Sequence, residues 1–248
     1  MSAPARVRVT LAVAGRVLIQ LRRDRRTLAM LLVLPCAIMA LLSWMFTDLP
    51  GRGFASLAPA LLALIPFIVM FLVTSVTTLR ERTSGTLERL LAMPMGKGDF
   101  LLGYAVAFGA VAALQSALAV GVSTWFLDLD VVGPTWLLLV VAVLDAVLGS
   151  ALGLFVSAFA QTEFQAVQFM PAVVIPQILL CGLFVDRVRL PGFLEAVSNC
   201  LPLSYAVDAM SKVAEQPDPA VLGDLALVAG FALAALVLGS LTLRRQSD

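Results

Sequence analysis

The sequence predicts an all-α integral membrane protein with six membrane-spanning helices. Of its 248 residues, 60% are hydrophobic and only 13% are charged, whereas about 25% of the residues in an ordinary soluble domain are charged. The charges are also clustered, and they leave uncharged runs of about 20 residues that can each cross a bilayer as a helix. The mean hydropathy of +0.99 agrees with a chain whose natural solvent is lipid.

The composition excludes several classes of chemistry. The chain has no histidine, and its cysteines (Cys36, Cys181 and Cys200) are scattered without CxxC spacing. Zinc sites and Ser-His or Cys-His nucleophile pairs therefore lack their residues. The formal net charge of +1 argues against an overall attraction to nucleic acid. We expect the cysteines to act as small apolar residues.

Residues 1–26 are predicted to be a cytoplasmic amphipathic segment. Apolar residues recur at helical spacing, namely Val7, Leu11, Ala14, Leu18 and Leu21. Several arginines are expected to project the other way: Arg8, Arg16, Arg23 and Arg26. This pattern is typical of a helix that lies on a membrane surface. A basic tail without an ordered helix is the alternative.

One transmembrane domain is predicted over residues 27–243, with a cytoplasmic tail at 244–248. Its spans are expected at about 27–46, 58–78, 101–127, 135–160, 167–185 and 225–243. Prolines in the second span (Pro59, Pro66) and the fifth (Pro171, Pro176) predict kinks or locally open backbone. Between spans five and six, residues 190–197 and 201–213 are expected to form helices too short to cross.

The basic residues predict the orientation. With the N-terminus in the cytoplasm, thirteen of them lie in the N-terminal segment, the loop 80–99 and the C-terminal tail, against four on the other side. Because short cytoplasmic loops carry the excess of Lys and Arg, both termini are expected inside the cell.

The loop between spans two and three has an apolar helical face. Leu87, Leu90 and Leu91 share that face, Glu88 complements the helix dipole in the first turn, and Pro94 ends the helix. Charged residues border it: Glu81, Arg82, Glu88 and Arg89. We interpret this segment as a two-turn helix that docks into a soluble partner; packing onto the membrane surface is the alternative.

Residues 79–94, LRERTSGTLERLLAMP, closely resemble the segment after the second span of ABC-2 type transporter permeases. These are the membrane subunits of ATP-binding-cassette exporters, such as the daunorubicin-resistance group. The matching positions are Glu81, Gly85, Thr86, Leu87, Glu88, Leu91 and Pro94. Residues 181–184, 190–191, Leu194 and 201–210 resemble the family's outer loop before its last span. Together with the six spans, the two resemblances cover nearly the whole chain.

The resemblance implies a division of labour between subunits. Residues 86–93 would be the coupling helix, seated in a groove of a separate P-loop ATPase present in two copies, which binds ATP and Mg²⁺. This chain would bind no cofactor, since it lacks the phosphate-binding GxxxxGK[ST] motif. Two permease chains, identical or related, would enclose one pathway in a bacterial plasma membrane. The loop between spans four and five departs from the pattern, because Glu163 is its only charge.

The resemblance also implies that residues 186–213 form short re-entrant helices in the outer leaflet. The residues of this outer segment that we single out are Pro191, Pro202, Tyr205 and Asp208. In the same family the N-terminal amphipathic helix lies along the inner membrane surface and can touch the ATPase.

Three polar residues are expected inside the membrane. Asp145 lies about 15 Å deep by the helical rise, and such a carboxylate is costly enough to be a candidate for function. Gln115 reaches a similar depth and could bond to it, so Asp145 has either a structural or a substrate and gating role. Gln177 lies in span five. Gly149 and Gly153 form a GxxxG that permits close helix packing.

Two other functions compete with the exporter. A secondary transporter could use the prolines and polar residues of spans two and five, but no inverted repeat and no second mid-span acid is visible. An intramembrane enzyme lacks an acid and base pair. An apolar lining suits an amphipathic or apolar cargo, such as a drug, an antibiotic or a lipid.

Overall fold

The computed structural model describes residues 3–46, 53–84 and 97–242, with the backbone alone for 3–5, 97 and 99–101. Within these ranges every regular element is helical, and six of the helices are long and apolar enough to cross a membrane. The all-α fold with six spans is therefore confirmed.

Nine α-helices make up the described chain. They are α1 (Ala3–Arg23), α2 (Arg25–Phe46), α3 (Phe54–Thr83), α4 (Lys97–Trp125), α5 (Thr135–Ser157), α6 (Glu163–Leu180), α7 (Gly192–Asn199), α8 (Pro202–Glu215) and α9 (Leu222–Thr242). A single 3-10 turn, Arg187–Arg189, precedes α7. The helices α2, α3, α4, α5, α6 and α9 are the candidate spans. Helices α3 and α6 each continue through two prolines, so these residues do not end a span.

Helix α1 exists, but its buried face differs from the prediction. The buried residues are Val13, Ala14, Val17 and Leu21, whereas Val7, Leu11 and Leu18 are exposed. The apolar residues that were predicted to share one face therefore lie on two different faces of the helix. One packs on the bundle, where a side chain at Gly103 of α4 would collide with Val13, and the other is free.

The helices α3 and α5 form the centre of the bundle. A Cβ atom at Gly149 would lie 2.5 Å from the backbone oxygen of Phe67, and one at Gly153 would lie 2.4 Å from that of Phe71. The two contacts advance together along both chains, so the helices run parallel. The GxxxG pattern thus serves packing within the chain, as small residues allow close approach of backbones.

The opposite ends of the bundle hold different connections. Helix α1, the end of α3 and the start of α6 meet at the end where the predicted cytoplasmic loop begins. At the other end, the backbone N–H groups of Val132 and Gly133 donate to the carbonyls of Ala214 and Val213 at 3.0 Å each. This second end also contains α7 and α8.

Candidate functional site

The last turn of α3 contains three consecutive charged residues, Arg80, Glu81 and Arg82, directly before the predicted coupling segment. Each one contacts a different helix. Successive helical positions point about 100° apart, so three neighbours reach three surrounding elements. The turn that leads into the loop is therefore bonded to three other helices, α1, α5 and α6.

Glu81 joins α3 to α1. Nη2 of Arg16 donates to both carboxylate oxygens of Glu81, at 3.1 and 3.2 Å. The Glu81 side chain is only 9% exposed and that of Arg16 is 30% exposed. Charge-assisted bonds of this kind are among the stronger ones in proteins. Arg16 was expected to project away from the packed face, and this expectation is wrong.

Arg80 and Arg82 join α3 to the start of α6 and to the end of α5. Nε of Arg80 donates to Glu163 at 2.7 Å, and its Nη2 donates to the second carboxylate oxygen at 3.0 Å. Nη1 of Arg82 donates to the backbone oxygen of Ser157, the last residue of α5. The Arg80–Glu163 pair is exposed on both sides.

The other predicted coupling residues lie outside the described part of the chain. These are Gly85, Thr86, Leu87, Glu88, Arg89, Leu91 and Pro94. The two-turn helix therefore stays a prediction. The structure describes only the end of α3 before it, where Glu81 and Arg82 contact α1 and α5.

The corner between α1 and α2 is held by Asp24. Its carboxylate accepts bonds from the backbone N–H of Thr27 at 3.1 Å and from the Thr27 hydroxyl at 2.6 Å. These two bonds lower the pKa of Asp24, and the charge of Arg80 lowers it further. A side chain that accepts from the third residue of the next helix is a typical cap, so Asp24 fixes the corner where the chain passes from α1 to α2.

At the opposite end, Arg187 organises the outer segment. Its guanidinium donates to Asp208, to Asn199 and, at 2.9 Å, to the Ser198 hydroxyl. It also lies over the Tyr205 ring, 5.1 Å from the ring centre, where a cation is attracted by the aromatic face. Burial raises the pKa of Asp208, and Arg187 opposes that rise.

The predicted residues of the outer segment occupy separate structural positions. Pro191 immediately precedes α7, and Pro202 is the first residue of α8, where a missing N–H costs nothing. The Tyr205 hydroxyl donates to the Asn199 backbone oxygen at 2.7 Å. Gln177 of α6 accepts from the backbone N–H of Leu203 at 3.3 Å. Gln177 thus fixes the start of α8 against a span.

Asp145 and Gln115 are fully buried, but the hydrogen bond expected between them is not formed. Neither carboxylate oxygen of Asp145 and neither amide atom of Gln115 has a partner among the described residues. The neighbouring Ser116 hydroxyl instead donates to the Ala142 backbone oxygen at 3.1 Å, which joins α4 to α5 one turn away. Equal depth along two helices does not make two side chains face each other.

Two exposed glutamines, Gln165 and Gln168, lie near the start of α6, and the exposed Gln161 lies two residues before the helix. Gln168 lies about 8 Å along the helix from Glu163. Exposed polar side chains therefore occupy the first two turns of α6.

The sequence alone did not single out Arg187 or the partners Arg16 and Glu163 as site residues. The one signal that marks Arg187 is an arginine close after an apolar span, in the turn between α6 and α7. The described residues contain no group of three His, Cys, Asp or Glu side chains that could hold a metal ion.

Known proteins resemble the chain over most of its length. A model of the ABC-2 type transporter family matches residues 8–214. A probable multidrug ABC transporter permease, YbhR of Escherichia coli K12, is 26% identical over 69% of this chain and 46% of its own length. A second such permease from the same organism, YbhS, is 24% identical over 62% of this chain and 41% of its own length.

A eukaryotic protein is also similar. ABC transporter G family member 20 of Dictyostelium discoideum is 26% identical over 63% of this chain and 22% of its own length. The chain therefore spans less than half the length of each of these three curated relatives.

Proposed function

The chain belongs to the ABC-2 type transporter family, and we propose from this premise that it is a permease subunit of an ABC exporter. Separate ATPase subunits, two copies for each pair of permease chains, would bind ATP and Mg²⁺ and supply the energy. The permease itself would bind no nucleotide. Its six spans would lie in a bacterial plasma membrane with both termini in the cytoplasm.

The observation that supports this proposal is the set of contacts that joins the last turn of α3 to three other helices. A displacement of the loop after Ser84 would be passed on through three contacts: to α1 through Glu81, to α5 through Arg82 and to α6 through Arg80. ATP-driven closure of two ATPase domains would displace residues 86–93. The displacement would then move several helices as one body, since packed helices switch between discrete arrangements rather than deform continuously.

A second permease chain would cover the exposed face of α6. The glutamine row of α6 is exposed, and only 17% of the most apolar stretch of this helix is buried. Two copies, or this chain and a related one, would place these glutamines at their contact or along the enclosed pathway. The polar side chains would then avoid lipid.

The cargo we propose is amphipathic or apolar. The helices offer few polar groups at mid-depth, with Asp145 and Gln115 buried in the bundle rather than exposed. Binding sites for apolar ligands combine such linings with a small number of polar anchors. A drug, an antibiotic or a lipid has this chemistry, and the two E. coli relatives carry the name multidrug permease.

Replacing Leu87 and Leu91 by Asp tests the coupling role. We expect the variant to reach the membrane in normal amount but to lose co-purification with its P-loop ATPase subunit, since two desolvated carboxylates would each cost on the order of several kcal/mol in the partner groove. Export and cargo-stimulated ATP hydrolysis should fall together. Glu88→Arg should act in the same direction.

The matched control places the same two charges at the other end of the molecule. Val188 and Leu222 are exposed apolar residues, and Val188→Asp with Leu222→Asp should leave ATPase binding unchanged. Normal ATPase binding and export in the Leu87→Asp, Leu91→Asp variant would show that residues 86–93 only pack on the membrane surface.

A further inference from the structure

A groove of about 570 Å³ lies between α1, α2 and α3 at the end of the bundle that carries Arg80. This volume falls within the range of small-molecule sites. Ile68, Leu72 and Val76 of α3 form one wall, and Met30 and Leu34 of α2 form another. Polar residues are confined to one end, where Gln20, Asp24, Thr27, Arg80, Glu81 and Ser84 lie.

The dimensions of the groove match one lipid chain. Ile68 and Arg80 are twelve residues apart on α3, which corresponds to about 18 Å, close to the roughly 15 Å of one leaflet. The groove has long apolar walls and one polar end, which is the arrangement of an acyl chain joined to a headgroup.

The corner beside the polar end is strongly basic. Arg22, Arg23, Arg25 and Arg26 lie within five residues of sequence, and all four are exposed. None of them forms an ion pair with a described residue. Clusters of this kind next to a span attract anionic headgroups.

The acidic side chains that the structure describes at this end have partners other than the corner arginines. Asp24 caps α2 through Thr27, Glu81 is paired with Arg16 and Glu163 with Arg80. None of these three forms an ion pair with one of the four corner arginines.

We propose that this groove is a binding site for one anionic phospholipid, with an acyl chain along α3 and the phosphate at the arginine corner between α1 and α2. The lipid would fill the space between the first span and the bundle. It would also hold the surface helix in the plane of the headgroups. The inference requires only that the chain is inserted in a membrane, so it stands apart from the exporter function.

Native mass spectrometry of the full-length chain tests the proposal. The probes are palmitoyl-oleoyl phosphatidylglycerol and phosphatidylcholine, which share their acyl chains and differ in headgroup charge. We expect the wild type to retain one phosphatidylglycerol at least tenfold more strongly than one phosphatidylcholine. Arg25→Gln with Arg26→Gln should reduce phosphatidylglycerol binding by about tenfold, since each basic residue at a membrane surface adds to the attraction, and should leave phosphatidylcholine binding unchanged.

Two further variants separate the site from general charge. Arg6→Gln with Arg8→Gln removes two exposed arginines from the far end of α1 and should keep the lipid preference. Met30→Trp enlarges an exposed wall residue, which spares the core, and should weaken both lipids. Equal binding of both lipids to the wild type would overturn the proposal. So would equal losses in the two arginine variants, or full phosphatidylglycerol binding to Met30→Trp.

Discussion

The spans α5 and α2 are equally apolar, yet one lies inside the bundle and the other at its surface. Their most apolar stretches have mean hydropathies of 2.4 and 2.3, but 61% of that stretch is buried in α5 and only 17% in α2. Helix α3 is similar to α5, with 72% of its most apolar stretch buried, and α6 is similar to α2, with 17% buried. In lipid, hydrophobicity selects the spans, whereas small residues such as Gly149 and Gly153 select their neighbours.

Two helices, α3 and α5, form a closely packed scaffold, whereas α2 and α6 each leave a face exposed. The parallel pair α3 and α5 leaves no room for a Cβ atom at its two glycines. Helices α2 and α6 leave one side free, and this free side carries the lipid groove on α2 and the glutamine row on α6. The scaffold and the proposed partner surfaces are thus different helices of one chain.

Replacing glycine by leucine should show the largest contrast between the scaffold and the periphery. Gly153→Leu would drive a side chain into the Phe71 backbone, and overpacking of this kind costs about 1–3 kcal/mol or more. Gly230→Leu in α9 is the control, since nothing lies within 4 Å of its Cβ position. Size-exclusion profiles and unfolding midpoints in one detergent should show a loss in the first variant only. Equal profiles would mean that α3 and α5 are not closely packed.

A smaller contrast is expected between the two ion pairs of α3. Arg16→Ala leaves the nearly buried Glu81 carboxylate without its guanidinium, which should cost about 1–3 kcal/mol. Arg80→Ala breaks a pair exposed on both sides and should cost less than about 1 kcal/mol. Unfolding midpoints rank the two variants, and Arg80→Ala as the more damaging would refute the assignment of Glu81 as the anchor of α1.

The smallest effect on stability is expected at Asp145. Because its carboxylate has no partner among the described residues, Leu and Asn should both be tolerated, as replacement of a buried ionisable group by an apolar one is often neutral or stabilising. Folded yield and unfolding midpoints of Asp145→Leu and Asp145→Asn measure this. A large loss in the Leu variant alone would indicate a hydrogen bond to Asp145 that the fold does not display. Loss of export in both variants at full yield would assign Asp145 to cargo or gating.

Much of the fold was predictable because charges cannot lie cheaply in hydrocarbon, so their spacing predicts where spans begin and end. The buried face of α1 was not predictable, since Leu and Val occur on several sides of that helix. Only packing shows which side meets α4. The contacts of Arg187 were equally hidden, because Ser198, Asn199 and Asp208 lie 11 to 21 residues away. Glu81 was marked by its position beside the apolar loop helix and again by the resemblance, whereas its partner Arg16 required the structure.

Cross-linking of α6 tests most directly the claim that the exposed spans are partner faces. In a background with Cys36, Cys181 and Cys200 replaced by Ala, Gln168→Cys is compared with Leu114→Cys, an exposed apolar position on α4. Mild oxidation of native membranes should join Gln168→Cys to a second permease chain, either another copy or a related chain with a cysteine at the corresponding position. Leu114→Cys should stay monomeric. If neither pairing of Gln168→Cys cross-links, the glutamine face of α6 does not meet another permease and the account is contradicted.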